Sequence, residues 1–306
     1  MAGSIRDIRR KIKSTKATKQ ITRAMELVSA AKMKRAVNNA LGMRSYASTA
    51  LLILTRLADK TNPEAHPLLE IRETKRVLVV AFSSDRGLCG SFNALLMKKV
   101  MEHEKELRVK YPGVEIDYIA VGKRVQDFLA RTGRTVIATF TNMTNRPSMN
   151  STLPIGKIAT DAYLDKRYDK VVLVYQHFVS ALTQKPTAFQ LLPFSKENLL
   201  DMERELNLFK HLAYGIDDDG TDYLFEPSPD AILKSLLPQL TQMQIFQSVL
   251  ETTASEHSAR MVAMRSATDN ATEVMSELTL HMNQVRQAAI TREIAEISAG
   301  KAAVGQ

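Results

Sequence analysis

Residues 83–93 read SSDRGLCGSFN and set Asp85, Arg86, Gly87, Cys89 and Gly90 between the apolar run 76–82 and a helical pattern that follows. A glycine-rich loop between a strand and a helix is where backbone N–H groups cradle phosphate. A thiol in such a loop can act as a nucleophile when a base stands beside it. The spacing supports neither chemistry. G-L-C-G matches neither the dinucleotide-binding fingerprint nor the P-loop pattern, and nothing in the sequence places His103 or His177 next to Cys89. The other reading is structural. Gly87 and Gly90 suit a tight strand-to-helix turn, Asp85 and Arg86 pair with each other or cap that turn, and Cys89 behaves as a small buried apolar side chain. Cys89 is the only cysteine, which excludes an intramolecular disulfide and a multi-cysteine metal site. Six scattered histidines form no metal cluster, and the carboxylates form no paired catalytic motif. No enzyme active site or cofactor site emerges.

Charge is the second chemical feature. Eleven of the 42 Lys and Arg fall within residues 1–35, where only Asp7 and Glu26 are acidic, so the net +9 belongs to this segment and the rest of the chain is neutral. A local anionic partner is the functional reading, and a solvated helix face is the bland one. Nucleic acid is one such partner. Against it, apolar residues interleave with the cations at core spacing, and no aromatic residue precedes Tyr46.

The elements that would carry these residues follow from periodicity. Between Ser4 and Lys60 there is no proline and one glycine, Gly42. Steps of three and four from Met33 reach Ala36, Ala40, Met43, Ala47, Ala50, Leu54 and Leu57, a coiled-coil seam rich in alanine. Ile5, Ile8 and Ile12 keep the spacing upstream. A five-residue step then leads to Ala17, Ile21, Ala24, Val28 and Ala31, which reads as a break in heptad phase. At the other end the same rule from Leu233 to Ala289 meets fourteen apolar residues in seventeen positions, interrupted only by Gln247, His257 and Thr268. Ser228 as N-cap and Pro229 at the first helical position mark the start, and Gly300 offers a stop. Pro238 is expected to kink this helix or mark its true beginning. In the segment 254–271, Glu256, Arg260, Arg265 and Asp269 would face outward, available to a partner.

Between the helices lie short β-rich runs at 76–82, 114–122, 134–140, 170–178 and 188–194, alternating with helical ones. They indicate an α/β sheet, at least partly parallel and covered on both faces. The expected fold is therefore a long coiled coil of the N- and C-terminal helices (1–60 and 229–300) plus a central Rossmann-like α/β domain (75–225). A helix that enters one compact domain and a helix that leaves it can pair only antiparallel. A seam over 57 residues would be roughly 85 Å long at 1.5 Å per residue. No apolar stretch reaches the roughly 18 residues of a membrane span, and the start MAGSIRDIRR has no apolar core of a secretion signal, so a cytoplasmic location is the default.

Four segments, KQITRAMELVSAAKMKRA (19–36), SSDRGLCGSFN (83–93), ASEHSARMVAMRSATDNA (254–271) and QVRQAAITREIAEISAG (284–300), resemble in order the signature segments of the gamma subunit of the F-type ATP synthase. Ser91 and Pro238 depart from the pattern. The resemblance implies a central rotor shaft without chemistry or cofactor of its own, one copy per complex. Its partners would be the alpha and beta subunits of the hexamer, the epsilon subunit and the ring of proton-carrying membrane subunits, with no nucleic acid. Its place would be peripheral, on the cytoplasmic face of the plasma (inner) membrane. By the same resemblance Arg23, Met25 and Lys34 on the first helix, and Arg260, Arg286, Gln287, Thr291 and Glu293 on the second, are contacts with the hexamer. Two other classes compete: a nucleic-acid-binding coiled-coil protein, and a nucleotide-binding α/β enzyme using the 83–93 loop.

Overall fold

A computed structural model describes residues 5–60, 66–145, 147–194 and 228–304, without the side chains of 41, 44–60, 229, 230 and 301–304. The element order is α1 (Ile5–Lys60), a short 3-10 turn (Pro67–Leu69), β1 (Arg76–Phe82), α2 (Phe92–Lys110), β2 (Glu115–Val121), α3 (Lys123–Arg131), β3 (Val136–Phe140), α4 (Met149–Leu164), β4 (Lys170–Phe178), β5 (Gln184–Leu192) and α5 (Pro229–Val304). Two compact units divide this chain. One joins residues 1–30 to 260–306, and the other spans 31–259. The start of α1 is thus grouped with the end of α5, and the end of α1 with the start of α5, as antiparallel pairing of the two helices requires.

In the larger unit the five strands form one sheet of order β3-β2-β1-β4-β5. The β1–β2, β1–β4 and β2–β3 pairs are parallel, and β4–β5 is antiparallel. Alternation along β1 explains why both faces must be covered. Leu78, Val80 and Phe82 enter a cluster with Ile155, Ala159, Leu233, Leu237 and Leu240 of α4 and α5. Val77, Val79 and Ala81 enter another with Leu96, Val100, Val125 and Leu129 of α2 and α3. Side chains two apart share a face, so a strand buried on both sides reads as a continuous apolar run. β5 begins four residues earlier than its apolar run, because Gln184–Thr187 complete the antiparallel pairing with β4. Pro186 is tolerated there on a sheet edge.

Three expectations about the helices are corrected. α5 starts at Pro229, with Ser228 Oγ accepting from Ala231 N at 3.3 Å as its N-cap, so Pro238 lies inside the helix and does not mark its beginning. It also passes Gly300 and ends at Val304. The phase break in α1 does not exist. In the smaller unit, Ile5, Ile8, Ile12, Thr15, Lys19, Thr22, Glu26 and Ser29 are all buried or half-buried, an unbroken three-four alternation that continues at Met33, Ala36, Ala40 and Met43 in the larger one. Ala47, Ala50, Leu54 and Leu57 lie outside the described side chains. The middle of the seam is polar: Thr22 Oγ1 and Thr268 Oγ1, both buried, are hydrogen-bonded at 2.8 Å. The apolar set at Ala17, Ile21, Ala24, Val28 and Ala31, assigned to the seam, points to solvent instead.

On the α5 side Met264, Thr268 and Ala271 are buried, and Met275, Leu278, Met282 and Val285 are half-buried. From Arg286 to Gly300 every residue is exposed, including Ala289, which the heptad count had placed in the seam.

One ionic site gives the sheet unit a defined acid limit. Glu104 of α2 accepts from Arg134 Nε at 2.7 Å and from Tyr118 Oη at 2.8 Å. Burial pushes its carboxyl pKa up, but the Arg134 and Tyr118 hydrogen bonds outweigh it and leave the pKa below the ordinary glutamate value. A lowered carboxylate pKa contributes stability that is present above the unfolded value of about 4.3 and is lost as pH falls through the folded value. The thermal midpoint should therefore fall more steeply below about pH 5 in the wild-type chain than in Glu104→Gln. Superimposable acid limbs in a melting series would refute the assignment.

Candidate functional site

The 83–93 loop leaves the C-terminal end of β1, the central strand. Ser83 N–H donates to Val121 O at 2.7 Å, and Ser83 Oγ accepts from Val125 N–H at 2.9 Å, so the loop is joined to β2 and α3 at its first residue. Ser84 Oγ donates to Arg86 O at 2.6 Å and closes the turn on itself. The Asp85 carboxylate reaches across to two backbone donors, Lys123 N–H at 3.1 Å and Asn142 N–H at 2.9 Å. It therefore caps α3 and the turn after β3, where the sequence had offered a pair with Arg86 or a cap on its own turn. Cys89 is buried, with Asn93 Nδ2 donating to its Sγ at 3.2 Å. Gly90 has φ +58°, a left-handed conformation that glycine adopts without cost. Leu88, at φ +62°, stands exposed on the outer side of the turn.

This arrangement is poorly suited to phosphate. Phe92 N–H, the first donor of α2, is spent on Cys89 O at 3.2 Å. The N-terminus of the neighbouring helix α3 already holds the negative Asp85. Such a helix end favours one anion, and a second one beside it is repelled. The loop's polar groups hold its own shape and bind three strand ends together.

The partner-contact candidates separate into two sets. Arg23 is exposed and paired with Glu26 at 2.8 Å, Lys34 is exposed, and Met25 is half-buried. Arg286, Gln287, Thr291 and Glu293 all lie on the exposed stretch of α5 from Arg286 to Gly300. Arg260 differs: it is 8 % exposed, and Glu256 is 4 % exposed, so neither faces outward as the heptad had suggested. Arg265 and Asp269 do face solvent. A charged side chain is buried only where tertiary partners meet it, and helix phase alone does not reveal such partners.

The surface also contains what the heptad count missed. Ile21, Leu27 and Val28 are 60 %, 58 % and 57 % exposed on α1, with Ala17, Ala24 and Ala31 also in solvent. The five-residue step after Ile12 was their signal: the apolar residues change face while the seam continues in polar ones. Arg23 lies beside this stripe. On α5, Leu280, Ile290, Ile294 and Ile297 are similarly exposed. The basic residues Arg9, Arg10 and Lys11 are exposed as well, with Arg10 paired to Asp7 at 2.9 Å. Exposed apolar side chains that are contiguous mark protein contact surfaces, whereas single ones need no explanation.

Comparison with known proteins bears on what this surface serves. The chain matches the family model described as ATP synthase over residues 4–304. It is 40 % identical over 303 residues to the ATP synthase gamma chain of Heliobacterium modesticaldum, covering 98 % of this chain and 99 % of that one. Against the ATP synthase gamma chain of Roseiflexus castenholzii it is 40 % identical over 305 residues, covering 99 % of each. Among solved structures it is similar in fold to a chain of the Euglena gracilis mitochondrial ATP synthase rotor, with TM-score 0.64 at 22 % identity over 95 % of this chain and 100 % of that one. The central stalk of the Tetrahymena thermophila mitochondrial enzyme gives TM-score 0.55 at 23 % identity, over 81 % and 99 %. With a family model matched along nearly its whole length and relatives at 40 % identity end to end, the chain belongs to the ATP synthase gamma chain family.

Proposed function

We propose that this chain is the central rotor shaft of an F-type ATP synthase, coupling proton flow through the membrane sector to ATP synthesis and hydrolysis on the catalytic beta subunits. The observation that carries the reading is the pair of uncovered surfaces, the Ile21, Leu27 and Val28 stripe on α1 and the exposed stretch of α5 from Arg286 to Gly300, in a chain of this family. Such a surface fits an enclosing ring of alpha and beta subunits. The α/β unit then meets the epsilon subunit and the proton-carrying ring, and the chain itself does no chemistry. It is present as one copy, held peripherally at the cytoplasmic face of the plasma membrane.

A pair of helices has no three-fold axis. It presents a different face to each of three catalytic subunits at any instant, and turning it permutes their conformations. Moving a two-state subunit from 1:99 to 99:1 takes about 5.5 kcal/mol of differential interaction, and the asymmetric contacts supply part of it.

Co-purification with alpha and beta subunits is the direct test, and a chain recovered alone from cells expressing all three would reject the reading. Gln287→Ala combined with Thr291→Ala is expected to lower coupled ATP synthesis while leaving the chain's melting temperature in place, since both residues are exposed. Unchanged synthesis in reconstituted complexes removes this pair from the contact set. Neutralising Arg9, Arg10 and Lys11 is expected to weaken assembly, and the deficit should narrow as salt screens the wild-type charges. An assembly yield indifferent to both salt and substitution excludes an electrostatic role.

A further inference from the structure

In the larger unit α5 meets the sheet in two chemically different ways. Its first stretch contributes Leu233, Leu237, Leu240, Met243 and Ile245 to an apolar cluster with Leu78, Val80 and Leu173. Burial of this kind is strong but non-directional. The following stretch, residues 247–258, is buried at every position, whatever its heptad phase, and most of it is polar. Burying so many polar groups is costly unless each contact is made in the right geometry.

Ser248 and Thr253 donate back to Gln244 O and Val249 O of α5 itself, and the contacts that leave the helix go to one place. His177 Nδ1 of β4 lies 2.6 Å from Glu251 Oε2, and Gln247 Nε2 donates to Glu251 Oε1 at 2.8 Å. Ser255 Oγ donates to Gln176 O at 3.2 Å. Ser258 Oγ donates to Ala181 O, and Gln184 Nε2 donates to Ser258 Oγ at 3.4 Å. Glu251, Ser255 and Ser258 are spaced by four and three, so they share one face of α5 over two turns. They grip three points on the β4–β5 hairpin. Gln176 extends the grip to the signature loop, since its Nε2 donates to Phe92 O at 3.1 Å. Rotating α5 by one residue turns this face by about 100°, and sliding it by one residue moves it by about 1.5 Å. Either displacement breaks the set together.

We infer that His177, Glu251, Ser255 and Ser258 are positioning residues that form a register clasp, the point where the α/β unit and α5 are locked in rotation so that torque passes between them without slip. The inference rests on the rotor reading above. A polar clasp suits this duty because its energy depends on angle and register, which an apolar contact constrains less.

The test uses the assembled complex in sealed vesicles and reads protons pumped per ATP hydrolysed. With His177→Leu and Glu251→Leu together, the chain keeps a buried apolar pair of similar bulk. Its hydrolysis should remain while the pumping ratio falls about fivefold or more, the scale of a modest coupling energy. Glu251→Gln, which keeps an acceptor oxygen toward His177, should retain the wild-type ratio. A wild-type ratio in the double leucine variant, or an equal loss in Glu251→Gln, overturns the clasp. If the leucine variant fails to assemble, Ser255→Ala with Ser258→Ala decides instead: a ratio lowered about twofold supports the clasp, and an unchanged ratio overturns it. A wild-type chain that does not assemble with alpha and beta subunits sinks the rotor reading itself, independently of every variant.

Discussion

Gly122→Ala is expected to destabilise the chain by about 3–5 kcal/mol, combining a disallowed backbone angle with overpacking. Gly122 is the N-cap of α3 at φ +99°, and a β-carbon there would collide with the carbonyl oxygen of Ser83. Neither side can yield easily. Ser83 N–H and Oγ are committed to Val121 O and Val125 N–H, and Gly122 N–H donates to Phe140 O at 2.7 Å. At about 2–4 °C per kcal/mol for a unit of this size, the melting temperature should fall by roughly 10 °C. Gly133→Ala is the control, since Gly133 also has positive φ, at +67°, but nothing lies within 4 Å of its added carbon. That variant should lose about 1 kcal/mol, the backbone cost alone. Equal melting temperatures for the two variants would show that the collision with Ser83 is relieved cheaply.

Asp85→Ala is expected to cost about 2–3 kcal/mol, because one ionised carboxylate satisfies two backbone donors that otherwise lose their partner. The loss should be local first. Amide exchange at Lys123 and Asn142, whose N–H groups it holds, should accelerate by about tenfold or more while β1 and β4 exchange as before. Asp85→Asn keeps an acceptor but not the charge at the helix N-terminus, so it should recover part of the stability. Exchange at both amides equal to wild type in Asp85→Ala would mean that water replaces the carboxylate without loss.

The parts of this fold that could be read from residues are those in which local pattern and burial agree. β1 and β4 are runs of Val and Leu that lie between two layers of helices, so their composition states their environment directly. Ser228 and Pro229 announced the start of α5, since capping is a local interaction between residues three apart. Pro238 does not begin the helix, because packing of α5 against the sheet outweighs one lost backbone bond.

The middle of the α1 seam, from Ala17 to Ala31, failed for a more instructive reason. A heptad count follows apolar residues, but Thr15, Lys19, Thr22, Glu26 and Ser29 keep the inward phase while Ile21 and Val28 face out. Apolar residues on the outward face and polar ones in the seam reverse the ordinary rule, and a count of apolar positions alone cannot detect the reversal. The same limit hid Arg260, Glu256 and the His177–Glu251 pair, since no spacing along α5 shows that β4 lies against it. Asp85 was visible as a capping residue, but its target was not: the cap joins residues 38 and 57 positions away.

The outward turn of Ile21, Leu27 and Val28 also bears on how the cell must make this protein. A chain synthesised ahead of its partners leaves these side chains in water, where they adhere to other copies or to chaperones. If other subunits cover the stripe, as proposed above, supply must be matched to theirs. On that reading, surplus chain is expected to be cleared by proteolysis or lost to aggregates, so that its steady-state amount follows the amount of its partners rather than its own rate of translation.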